Sequence, residues 1–189
     1  MLGKWQDERF WQRNPVWENY PLGTAADSTI GKYGCLMCSV ARMLWLADPQ
    51  HRYLSPYRLD KWLVANNGYV NGNDLVFAAV DGLHVVRFEA LKDYGGALTA
   101  ASVDELAGCL SQGKYAALKV DFHPFAPPGI QQHWVHLEQV DQDDRLPFGK
   151  IFWAYDPWTG AMVDIGARYA PFGRDLDYAI WGAAIYRPA

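Results

Sequence analysis

The hydrophobic pattern changes period midway along the chain, and that switch limits the folds open to it. Early in the chain, Cys35–Ala47 carries Leu36, Val40, Met43, Leu44 and Ala47 at three- and four-residue spacing, which predicts a helix with one apolar face. Gly34 permits a sharp entry, and Asp48-Pro49 stops the helix. Ser55-Pro56 supplies a cap and a first-turn proline for a second helix running to Asn66-Asn67-Gly68. Ser102-Val-Asp-Glu105 reads as a capping box opening a third helix that ends near Gly113, and a short helical stretch is expected at Asp74–Ala79. Beyond this point the pattern becomes that of strands. Tyr115–Phe122, His133–Asp141, Lys150–Asp156 and Ala179–Tyr186 are separated by Pro/Gly loops, and Leu83–Leu91 reads as a further strand. Helices first and an antiparallel sheet afterwards predict an α+β fold. Residues 1–34 lack periodicity and read as an extended arm and loop. With no internal repeat and no Gly/Ser- or Pro-rich linker, residues 1–189 read as a single domain.

Composition removes several classes. A chain with 50% hydrophobic and 15% aromatic residues can build a packed core, which excludes a disordered protein. No apolar run approaches the ~18 residues of a membrane span. The start, MLGKWQDERFWQRN, is polar where a signal peptide needs an apolar stretch, so synthesis in the cytosol is expected. Net charge is −4, the isoelectric point is near 5.7, and no Lys/Arg cluster supplies a nucleic-acid footprint. Three cysteines, Cys35, Cys38 and Cys109, are too few for a disulfide framework and leave at least one thiol free.

Cys35 is the most informative residue. It follows a glycine and begins an apolar helix, where unpaired backbone N–H groups and the positive end of the helix dipole favour thiolate. Against this stands the ordinary behaviour of free cysteines as small buried hydrophobes. A thiolate nucleophile needs a general base oriented by a third group. His51 follows the helix stop, His84 falls in a Val-rich strand, and His123 sits beside Pro124 in a loop. His133 and His136 share one strand at an odd separation, so they face opposite sides and cannot easily serve one site. A hairpin pairing Asp141 with Gly149 or its neighbour brings His133 opposite Asp156, or within a residue of it, and His136 near Trp153. Asp156 precedes proline, which holds it extended at a strand end, although Asp-Pro also commonly just begins a turn. The geometry favours His133 as base and Asp156 as orienter.

Several segments resemble papain-fold cysteine peptidases of the double-glycine-leader-peptidase-like group, found in bacteria and phages. They are Asn14-Pro-Val-Trp17 with Leu22-Gly23 and Thr29-Ile-Gly-Lys-Tyr-Gly-Cys35, then His133-Trp-Val, and Tyr155-Asp-Pro-Trp158. Leu54-Ser-Pro, Leu59, Trp62-Leu63 and Gly68-Tyr-Val-Asn-Gly-Asn73 resemble a segment of phage and cell-wall-associated members. The resemblance implies a papain-like fold in which the helix carrying the nucleophile packs on an antiparallel sheet. It implies Cys35 as nucleophile, His133 as base and Asp156 as orienter, with no cofactor. It also implies a peptide substrate, including peptidoglycan peptides, and release by lysis or carriage in a phage particle. Leader-processing members place an oxyanion-hole glutamine about six residues before the nucleophile. This chain has Thr29 there, so Thr29 and Tyr33 are the candidate second donors beside the Cys35 backbone N–H.

Two other readings compete. Cys35-Leu-Met-Cys38 with His133-x-x-His136 mimics a zinc motif, but the opposed faces of the two histidines prevent a convergent ligand set. No strand precedes Cys35 as a thioredoxin-like redox motif would require. The abundance of aromatic residues also fits a virion- or wall-associated binding module that kept the fold and lost catalysis.

Overall fold

The structure, a computed structural model, describes residues 8–48, 50, 55–124, 130–171 and 175–189. It is a mixed α+β fold built on a six-stranded, wholly antiparallel sheet. In chain order come α1 (Ile30–Tyr33), α2 (Cys35–Ala47), α3 (Pro56–Ala65), the short hairpin β1 (Tyr69–Val70) and β2 (Asp74–Leu75), and β3 (Val86–Asp93). There follow α4 (Ala100–Ser111), β4 (Tyr115–Asp121), β5 (Gln132–Gln142), β6 (Lys150–Asp156), β7 (Ala161–Asp164), α5 (Ile165–Tyr169) and β8 (Ile180–Pro188). The sheet order is β3-β8-β4-β5-β6-β7. No helix among the described residues is long and apolar enough to cross a membrane.

Both faces of the sheet are covered. On one, Val40, Met43 and Leu44 of α2 and Leu59 and Leu63 of α3 pack with Trp134, Tyr155 and Tyr186. On the other, Val103 and Leu106 of α4 and Ile165 and Tyr169 of α5 pack with Val135, Leu137 and Phe152. The alternation along β5 thus divides its side chains between two cores.

The sequence-predicted helices at Cys35 and Ser55 form as expected. Asp48 closes α2, and the Ser55 hydroxyl caps α3 by accepting from the Arg58 N–H. Pro49, His51 and Leu54 lie outside the described residues. The third helix starts earlier than its capping-box motif indicates. Thr99 is the cap and accepts from the Ser102 N–H, because Ala100 and Ala101, good helix formers, add residues ahead of Ser102. The expected helix at Asp74–Ala79 is instead strand β2 followed by a 3-10 turn over Phe77–Leu83. Asn71 and Gly72, with φ of 50° and 93°, close the β1–β2 hairpin by the Asn-Gly chemistry of a tight turn. His84 is an exposed left-handed residue before β3 rather than part of a strand. The expected loop at residues 1–34 includes α1. Its junction with α2 requires glycine, since a β-carbon on Gly34 would collide with the Ile30 carbonyl.

Candidate active site

Cys35 is the first residue of α2, parted from α1 only by Gly34, and the first amides of a helix lack intrahelical partners. Its thiol is half-buried, whereas Cys38 and Cys109 are buried, and all three are free. Cys38 lies one turn further on, in the core beneath α2, and burial pushes its thiol well above the ordinary range.

His133 stands near the start of β5 and is 4% exposed. Its Nε2 is 2.8 Å from Oδ1 of Asp156, the last residue of β6. Pairing of His136 with Tyr155 places Val135 across from Asp156, so His133 and Asp156 meet on a diagonal rather than directly opposite. The predicted register is thus corrected. Asp141 pairs with Ile151, and a bulge at Glu138 takes up one residue, so His136 pairs with Tyr155 and not near Trp153.

Asp156 is fully buried and accepts three hydrogen bonds. His133 and the Trp158 N–H, at 2.8 Å, share Oδ1, and the Tyr169 hydroxyl donates to Oδ2 at 2.8 Å. Burial alone would raise its pKa, but these donors outweigh it and hold the carboxylate below its usual range. Since an ionised carboxylate only accepts, Nε2 carries the proton toward Asp156 and Nδ1 is left for the thiol. Cys35 stands close enough to the imidazole to favour its charged form. Burial disfavours the charged ring, yet Asp156 and Cys35 together raise the His133 pKa to about 9. The thiol, imidazole and carboxylate therefore form one continuous relay.

Aromatic rings wall this relay. Phe122 and Tyr169 lie 5.0 and 5.9 Å from the His133 ring, and Trp158 meets Phe122 edge-on at 5.1 Å. The relay opens onto a cavity of about 600 Å³ lined by Cys35, His133, Gln12, Tyr33, Asp74 and Trp158 among others.

Of the two expected oxyanion donors, Tyr33 lines the cavity and is 57% exposed, whereas Thr29 caps α1 in extended geometry away from the lining. A residue the sequence reading passed over stands closer to the requirement. Gln12 is 1% exposed and lines the cavity. Its Nε2 donates to the Gly31 carbonyl at 3.0 Å, and its Oε1 has no partner. Its backbone N–H donates to the Pro157 carbonyl at 2.9 Å, which ties it to the loop after Asp156. The usable signal was a glutamine upstream of the nucleophile at a longer spacing. No local pattern marks Tyr169, which reaches Asp156 only through the fold of β7 and α5.

His136 is separated from the relay, as strand parity predicts, and is buried. Its Nδ1 is 3.5 Å from Glu138 Oε1, long for a hydrogen bond. Arg42 of α2 is the firmer partner of Glu138, bonding both oxygens at 2.8 and 3.0 Å. Burial opposes the Glu138 charge, but His136 and Arg42 hold its pKa down at about 2. Among the described residues no group of three or more His, Cys, Asp or Glu could hold a metal ion.

No family model, curated protein or solved structure matches this chain.

Proposed function

We propose that the protein is a papain-like cysteine peptidase or amidase that cleaves a peptide bond through Cys35, His133 and Asp156. The observation that carries this reading is the buried His133–Asp156 pair, bonded at 2.8 Å and reaching Cys35 at the mouth of a cavity. Such a relay activates a thiol for nucleophilic attack. Cys35 Sγ gives its proton to His133 Nδ1 and adds to the scissile carbonyl, and the oxyanion is held by the Cys35 backbone N–H and by the Gln12 side-chain amide. His133 Nδ1 then protonates the leaving amine, leaving a thioester on Cys35. A water deprotonated by His133 adds to the thioester, and the thiolate leaves as the acid is released. Asp156, locked by Tyr169 and the Trp158 N–H, keeps the imidazole oriented and favours its charged form. The sequence resemblance favours peptidoglycan peptides as substrates.

The decisive experiment incubates the protein with purified cell walls and with generic peptides, beside a Cys35→Ala control. New amino termini should appear with the wild type only, and iodoacetamide should alkylate Cys35 faster than Cys38 or Cys109. No cleavage together with a sluggish Cys35 would overturn the reading in favour of a binding module.

A further inference from the structure

In an acidic chain, the cations around the His133 end of the cavity stand without carboxylate partners. The Arg13 guanidinium lies 4.9 Å from the centre of the Trp158 ring, and that of Arg168 lies 5.7 Å from the centre of the Phe122 ring. Lys32 lines the cavity itself. None of Arg13, Lys32 and Arg168 has an ion-pair partner among the described residues. Lys114, Arg145 and Lys150, by contrast, each hold a carboxylate at 2.6 to 2.8 Å. The single acidic residue in the cavity lining, Asp74, belongs to the β1–β2 hairpin and is held by the Asn71 amide at 3.1 Å. Charge is therefore sorted along the site.

The chemistry assigns a role to that sorting. Because His133 must protonate the leaving amine, the amine sits within hydrogen-bond reach of its ring. The residue after the scissile bond then lies against Phe122 and Trp158, the rings that wall His133. A guanidinium stacked on an aromatic face keeps its N–H edge free for a carboxylate. Resting on the peptidase reading, we infer that the His133 end of the cavity binds a carboxylate on the leaving-group residue, with Arg13 and Arg168 as the specificity-determining cations. The substrate is then a peptide whose leaving residue bears a side-chain carboxylate or a free C-terminal one.

Binding of the leaving product tests this without requiring turnover. As the smallest leaving products, glutamate, its α-carboxamide, glutamine and glutaminamide are titrated into the protein by calorimetry at low salt. At least one acid form should bind about tenfold more tightly than the diamide, the worth of a charge-assisted hydrogen bond. The two half-amidated products tell the side-chain from the terminal carboxylate. The preference should vanish in Arg13→Ala/Arg168→Ala and persist in Arg187→Ala, a control at an exposed cation on β8. Equal binding or no binding of the four products, or an unchanged preference in the double variant, would overturn the inference. Those results would leave the peptidase reading standing, because its own test is cleavage and Cys35 alkylation.

Discussion

The Ser39 hydroxyl, one helical turn beyond Cys35, donates to the carbonyl of Trp134, the residue after His133, at 3.1 Å. One further turn along α2, Arg42 clasps Glu138 with two bonds. The helix that carries the thiol is thereby fastened to the strand that carries the imidazole at two points. These contacts hold α2 against β5.

Ser39→Ala removes a buried donor and leaves the Trp134 carbonyl unpaired, which should cost about 1–3 kcal/mol. Glu138→Ala should cost at least as much, because it removes two charge-assisted bonds to the mostly buried Arg42 guanidinium. Denaturant unfolding measures both. At temperatures where the variants stay folded, both should also slow turnover, whereas a Glu138→Ala variant as stable as wild type would show that the clasp contributes little.

His133→Ala should abolish nearly all turnover, since no other side chain can take the thiol proton and return it to the leaving amine. Asp156→Asn should be milder but still large, because Asn cannot stabilise the imidazolium. His136→Ala should keep most activity, but with a stability loss of about 1–3 kcal/mol because the ring is buried beside Glu138. Assays of the three folded variants on one substrate check the assignment. An active His133→Ala beside a dead His136→Ala would refute it.

The pH dependence follows from the raised His133 pKa. The folded ring holds its proton up to about pH 9, whereas an unperturbed histidine releases it near 6.5. The stabilisation is therefore complete below about pH 6.5 and is lost as pH rises through about 9. Tyr169→Phe removes one donor from Asp156, so the carboxylate becomes more basic and accepts more strongly from the imidazolium. The His133 midpoint, followed by NMR, should rise in Tyr169→Phe and fall in Asp156→Asn. A midpoint unmoved by Tyr169→Phe would mean that its bond to Oδ2 does not reach the ring.

Gln12→Ala should lower kcat about 10²–10³-fold if its amide helps hold the oxyanion. Alkylation of Cys35 by iodoacetamide forms no oxyanion, so its rate should stay near wild type. Parallel loss of both rates would instead assign Gln12 to positioning the loop after Asp156.

Cys38→Ala and Cys109→Ala should both retain activity, with a stability loss of about 1–2 kcal/mol from small cavities at buried sites. Thermal unfolding and a turnover assay check this together.

Local periodicity and turn chemistry in the sequence suffice for the helix at Cys35, the cap at Ser55, β6 and the antiparallel C-terminal half, because each depends on residues only a few positions apart. Strand parity also separates His133 from His136, since alternation is a property of the backbone itself. What sequence could not determine depends on residues distant along the chain. The bulge at Glu138 shifts the β5–β6 register by one residue, and it forms where Arg42 of another element pulls that carboxylate inward. The third donor to Asp156 is Tyr169, brought back by a four-residue strand and a single turn of helix too short to carry a periodic signal. Gln12 reaches the cavity because the arm before α1 folds against both Gly31 and Pro157, contacts that no spacing in the sequence encodes. The place of Cys35 was thus written in its own helix, while the company it keeps was decided by packing between elements.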